Sequence, residues 1–269
     1  MKRILENPYI KILRTNHWFK NLFLVIGVLA GMWSSRSFSL SGQATIQTLA
    51  AFFLASFVSS ANYIINQVVD AKFDILHPTK KHRIIPSGKI SVPNATVLSV
   101  ILFVAAIYFS VNIFSLKFVL TLFSLWVAGL VYNLPPVRLK DIPFVDVLSE
   151  SVNNPIRFLL GWFIIAPFSF PPLPLLLFTW ATGAVLMTAK RYNELLVFGA
   201  HLFPYRSTFK VYSLLILKKS LIFYCLLSFF TFIYFSSHHA PNLLIGIPLI
   251  LISSKWFITQ VISGRVSIP

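Results

Sequence analysis

The feature that most constrains this chain is a set of long apolar runs. Residues 19–34, 45–65, 93–114 and 243–262 carry almost no charge, and each is about long enough as a helix to cross a hydrocarbon layer of roughly 30 Å. With 57% apolar residues in a chain of 269, there is more hydrophobic surface than a globular core can bury. The runs are too long and too uniform for barrel strands, and backbone in lipid must satisfy its own hydrogen bonds. The chain therefore reads as an all-α polytopic membrane protein.

Eight spans are expected, at 19–36, 45–69, 93–114, 117–134, 145–166, 171–189, 212–236 and 241–263. They form a single integral-membrane domain over 1–269, built from two four-helix halves of similar layout. In each half the loop after the second helix is the polar one. No cleavable signal peptide is expected, because a mixed polar segment precedes the first span. The lone Cys225 reads as a small packing residue.

Charge gives the orientation. Of 23 Lys and Arg, only Arg36 and Lys117 fall in the odd-numbered loops, and Arg157 and Lys255 lie within spans. The others crowd the remaining loops and the two ends, which places both termini and the polar loops on the cytoplasmic side of the plasma (inner) membrane. Insertion alone accounts for much of the net charge of +16, so the high pI does not call for a nucleic-acid partner.

Only seven residues are acidic, and two of them stand in "NQVVDAKFDILHPTKKHR", residues 66–83. Asn66, Asp70 and Asp74 recur every four residues and so form one stripe on a helix, drifting by about 40° per step. The stripe lies at a helix C-terminus, where the dipole disfavours carboxylates and the two acids repel each other. Two compensations are open. One is salt bridging to Lys72, Lys80, Lys81 or Arg83; the other is a divalent cation, most plausibly Mg²⁺, completed by water and phosphate oxygens. A metal-bound phosphorylated ligand explains the acids and the bases together.

Further polar groups converge. "RTNHWFKN" supplies Arg14, Lys20 and Asn21, and "VYNLPPVRLKD" supplies Tyr132, Arg138 and Lys140. In span five, Asp146, Glu150, Asn153, Asn154 and Arg157 make a polar band, read either as mutually paired or as lining a substrate pocket. "AKRYNEL" ends span six with Lys190, Arg191 and Glu194; the glutamate either pairs with those bases or holds a ligand hydroxyl.

These motifs resemble the UbiA superfamily of intramembrane prenyltransferases, and within it the decaprenyl-phosphate phosphoribosyltransferase branch. "NQVVDAKFDILHPTKKHRIIPSGKIS" is similar to the first motif of that branch, "RTNHWFKNLFL" to its opening, "LKDIPFVDV" and "PIRFLLG" to its fifth span, and "AKRYNEL" to its second motif. The resemblance runs from about Arg14 to Tyr212. It implies a bundle of eight to nine helices around a cytoplasm-facing cavity, and Mg²⁺-dependent transfer of a phosphoribosyl group from phosphoribosyl pyrophosphate to a polyprenyl phosphate. Asn66, Asp70 and Asp74 would hold the metal. Arg14, Lys20, His77, Lys80, Arg83, Tyr132, Lys140, Asp146, Arg157, Lys190, Arg191 and Glu194 would line the substrates, His77 chiefly by shaping the loop with Pro78. Gln67 stands where the family usually has its first Asp, Ile84 where it often has Pro, and a ninth helix is absent from this sequence or lost by truncation. The competing readings are prenyl transfer from a prenyl diphosphate to an aromatic acceptor, and a non-catalytic lipid-phosphate carrier. Association into a homo-oligomer is compatible with all three.

Overall fold

The computed structural model describes residues 7–36, 39, 41–75, 80–202 and 206–265, which contain helices and turns and no strand. We number the α-helices α1 (Pro8–Ile12), α2 (Phe23–Ser34), α3 (Gly42–Asp74), α4 (Val92–Ile113), α5 (Leu116–Asn133), α6 (Val145–Ser151), α7 (Asn153–Ile165), α8 (Leu173–Phe198), α9 (Leu214–His239) and α10 (Ile247–Ile262). Serines set the starts of four long ones. Ser41, Ser91, Ser115 and Ser213 each hold extended backbone and accept from an N–H in the first turn of α3, α4, α5 and α9.

Six helical segments among the described residues are long and apolar enough to cross a membrane: Gly42–Asp74, Val92–Ile113, Leu116–Asn133, Leu173–Phe198, Leu214–His239 and Pro241–Ile262. The other two expected spans are interrupted. Residues Thr15–Leu22 form a 3-10 turn, tied down where the Trp18 indole donates to Ser60 and the Asn21 amide to Ser56, so α2 has only 12 residues. The fifth is broken between α6 and α7. Pro155 lacks an N–H and its ring excludes the carbonyl of Ser151, and α6 ends at that serine. Conversely, α3 and α8 outrun their expected ends. α3 has 33 residues, about 50 Å, well beyond a hydrocarbon layer. α8 carries Lys190, Arg191 and Glu194 on helix rather than in a loop.

The chain divides into two compact units, the first comprising Met1–Arg138 and Ile156–Phe170, the second Leu139–Pro155 and Pro171–Pro269. In the first, α3 packs along α4 and α5, and Ile12, Ile64, Ile84, Ile85, Ile90 and Ala95 form a buried cluster. Ile84 therefore fills core space. α2 and α7 meet backbone to backbone. A Cβ on Gly27 would strike the carbonyl of Phe158, and one on Gly161 would strike the carbonyl of Leu24. In the second unit, α8 lies along α9 around Ala184, Ala189, Tyr192, Leu217, Leu221 and Tyr224. Gly183 leaves room there for the Asn154 side chain.

Candidate functional site

In the first unit the acid stripe occupies the last turns of α3. Asp70 accepts from Arg138 (Nη2 to Oδ1, 3.0 Å), and Asp74 accepts from Arg83 (Nη1 to Oδ2, 2.6 Å). Arg138 follows α5 in a left-handed conformation (φ 34°) with its guanidinium 5.4 Å from the centre of the Phe73 ring. Arg14, also left-handed (φ 53°), lies 5.4 Å from the centre of the Tyr63 ring. Burial and then the neighbouring Arg83 lower the proton affinity of Arg14, whose guanidinium stays cationic nonetheless. Around the stripe, then, three guanidiniums serve two carboxylates. Left-handed backbone at a non-glycine residue costs about 1–2 kcal/mol, and two of these arginines carry it.

Asn66 is half-buried one turn before Asp70, and Lys20 and Tyr132 are half-buried in the same unit. Gln67 takes another direction: it is buried, with its amide reaching the carbonyl of Ile12 at 3.5 Å. Gln67 thus faces the core beside α1. His77 and the Lys80 side chain lie outside the described residues. Arg157 also belongs to this unit; it is buried and donates from Nε to Asn21 Oδ1 at 2.7 Å. Asp146 belongs to the second unit, on α6, which a one-residue interruption at Val152 divides from α7.

In the second unit Asp146 is fully buried and is the hub. Arg191 Nε reaches its Oδ2 at 2.7 Å, Arg206 Nη2 lies 3.5 Å away, and the Tyr212 hydroxyl donates to Oδ1. The same hydroxyl accepts the N–H of Phe144 at 2.7 Å, which anchors the start of α6. Burial, and then the adjacent Asp146, push the Tyr212 phenol well above its ordinary pKa, so it stays a donor. Arg191, itself buried, gives Nη1 to Glu194 Oε2 at 2.6 Å. Arg206 also donates to the carbonyl of Lys140, whose side chain is buried. Lys190 stands half-buried beside Arg191 on α8. Tyr212 was legible only as the limit of the motif match, and Arg206 only as one base among several; neither gave a sign of its partner.

The donor set at the end of α3 suits a metal ion. Among the described residues no three of His, Cys, Asp and Glu come together, whereas two carboxylates share a face at the end of α3. Mg²⁺ is commonly held by one or two carboxylates, with water and phosphate oxygens filling its remaining positions, so Asp70 and Asp74, with Asn66, fit it. At the second helix end the acids are already engaged with Arg191.

The UbiA prenyltransferase family matches residues 24–265. The decaprenyl-phosphate phosphoribosyltransferase of Corynebacterium glutamicum is 28% identical over 208 residues, which cover 72% of this chain and 56% of that protein. Its counterpart in Mycolicibacterium smegmatis is 31% identical over 106 residues, 39% of this chain and 33% of that protein. The chain thus spans about half, or less, of the length of the curated relatives it matches. Among solved structures, a UbiA homolog from Archaeoglobus fulgidus bound to GPP and Mg²⁺ superposes with a TM-score of 0.75 at 18% identity, covering 94% of this chain and 86% of that one. That likeness establishes the fold.

Proposed function

This chain belongs to the UbiA prenyltransferase family, and on that premise we propose that it transfers a phosphoribosyl group from phosphoribosyl pyrophosphate to a polyprenyl phosphate. It is an integral membrane protein, with six segments among the described residues able to span a bilayer. The observation that carries the reading is the surplus of base over acid. Arg83 and Arg138 pair with the two aspartates at the end of α3 with Arg14 near Arg83, and at the end of α8 Asp146 and Glu194 are taken up by Arg191, with Lys190 beside it. Ionising one allylic diphosphate calls for paired acid clusters; bringing together two phosphorylated ligands calls for more cations. The two actinobacterial relatives are named for this reaction, which supports the same choice.

Held by Asp70 and Asp74, with Asn66, one Mg²⁺ would supply Lewis-acid neutralisation of the departing pyrophosphate. Arg83, Arg14 and Arg138 bind its oxygens. Lys20 and Tyr132 orient ligand in the same unit. The acceptor phosphate is ionised at neutral pH, so its oxygen attacks the anomeric carbon with no strong general base. In the second unit Lys190 contacts phosphate, while Arg191, buried between Asp146 and Glu194, acts as a positioning residue together with Lys140. Arg157 fixes Asn21, and through it the turn that bears Lys20. The concentration of bases in the loops that carry these residues supports a site on the cytoplasmic side of the plasma membrane.

The test is direct. Purified protein receives Mg²⁺, labelled phosphoribosyl pyrophosphate and polyprenyl phosphate; label entering the lipid phase is the expected result. Label passing instead from a prenyl diphosphate to hydroxybenzoate would make the chain an aromatic prenyltransferase. No transfer in either mixture, with lipid phosphate crossing vesicles, would make it a carrier.

A further inference from the structure

The second unit holds a cavity of about 310 Å³ that no part of the proposed reaction uses. It lies between α8, α9 and α10, and its lining includes Thr182, Cys225, Ser228, Phe229, Ser254 and Trp256. Thr182, Cys225 and Ser254 each stand about 10 Å or more from both ends of their helices, so the cavity sits at the depth of the hydrocarbon, where lipid-soluble molecules reach it. Small and hydroxyl-bearing residues between membrane helices ordinarily let the helices close on each other. Here they line open space instead. Polar hydrogens turned toward hydrocarbon are a cost unless something accepts them. Thr182 donates to the carbonyl of Phe178 at 2.8 Å, so Ser228, 3.0 Å from it, donates to Thr182 and both protons are spent. Among the described residues the Ser254 hydroxyl and the Cys225 thiol make no hydrogen bond.

The cavity thus offers two spare donors and aromatic rings, and no Asp, Glu, Lys, Arg or His lines it. That chemistry selects the occupant. A charged headgroup finds no counter-ion. A phospholipid chain brings no acceptor to this depth, because its ester oxygens stay at the interface. A flat ring bearing carbonyl oxygens meets both demands: it stacks against the rings of Phe229 and Trp256 and accepts from the spare donors. The volume admits such a ring with the first carbons of a tail. We propose that this cavity binds an uncharged, quinone-type lipid drawn from the bilayer, its carbonyl oxygens accepting from Ser254 and Cys225. None of the phosphate-binding residues takes part, so the site holds whichever group the enzyme transfers.

Cys225 is the single cysteine of the chain, so thiol chemistry reports on this cavity alone. The full chain in phosphatidylcholine nanodiscs is alkylated with N-ethylmaleimide, with and without a benzoquinone that bears a decyl tail. Every other ring position of the quinone is substituted, so that none is open to the thiol. The quinone should slow alkylation about fivefold or more, and decylbenzene, which has the ring and tail without the oxygens, by less than about twofold. Ser254→Ala should raise the quinone concentration that gives half protection about fivefold, while alkylation without quinone keeps its rate. Equal protection by decylbenzene, or indifference to Ser254→Ala, would make the cavity a slot for any hydrocarbon and overturn the proposal, as would no protection at all. Should Cys225 react too slowly to follow, quenching of Trp256 fluorescence by the quinone, taken as the difference between the unaltered chain and Trp256→Phe, carries the same outcomes.

Discussion

The ends of α3 and α8 carry the same chemical pair, an aspartate against an arginine, in opposite surroundings. At α3 the Asp70–Arg138 pair is partly open, with Asp70 19% and Arg138 17% exposed at the side chain, whereas Asp74 beside Arg83 is buried. In the second unit Arg191 is 2% exposed and Asp146 not at all, and Tyr212, Glu194 and Arg206 complete the cluster. A half-solvated pair gains little from its attraction and gives up little when parted. A buried pair leaves an uncompensated charge when either partner is lost. The first arrangement is suited to releasing its groups to a ligand; the second holds helices in place.

The sharpest way to break that contrast is to delete one carboxylate from each. Asp70→Ala should reduce turnover by about 10³-fold, the loss of several kcal/mol of charge stabilisation, while the unfolding midpoint in detergent barely moves. Asp146→Ala should do the reverse in kind, destabilising the fold by about 3–5 kcal/mol in denaturant titration whether or not substrate is present. Equal stability losses at both sites would erase the distinction. The backbone contact of α2 with α7 comes next. Gly161→Ala should cost about 1–3 kcal/mol through overpacking, with Gly42→Ala, which meets open space, as the neutral comparison. Tyr212→Phe removes one hydrogen bond to Asp146 and should cost about 1–2 kcal/mol, measured the same way. The smallest effect is expected from Gln67→Asp. Because this position faces the carbonyl of Ile12, a carboxylate there should change Mn²⁺ affinity by less than about twofold, although as an unpaired buried charge it should lower the stability of the fold.

How legible this was in the sequence depended on the range of the interaction. The stripe of Asn66, Asp70 and Asp74 follows from helical period alone, and the helix that carries it is present. The partner of Asp70 lies 68 residues away, and nothing local to either residue announces it. Arg206 and Tyr212, each about as far from Asp146, were illegible for the same reason. Two local signals were outweighed by hydropathy. Pro155 sits inside an apolar run, and the helix is interrupted just before it. The sixth span is expected to end at residue 189, yet the expected i,i+3 pair between Arg191 and Glu194 is present on a helix that continues to Phe198.

The first unit is not contiguous: its closing piece, Ile156–Phe170, is separated from the rest by seventeen residues that belong elsewhere. During synthesis, domains form from the N-terminus onward as chain becomes available. Here α2 must wait with the glycine-lined face that receives Gly161 uncovered until the ribosome has delivered α7, by which time α3, α4 and α5 have long been in the bilayer. Biogenesis of this protein therefore includes an interval in which an early helix is held for a late one, and whatever shelters the nascent segment in that interval has a hand in the yield.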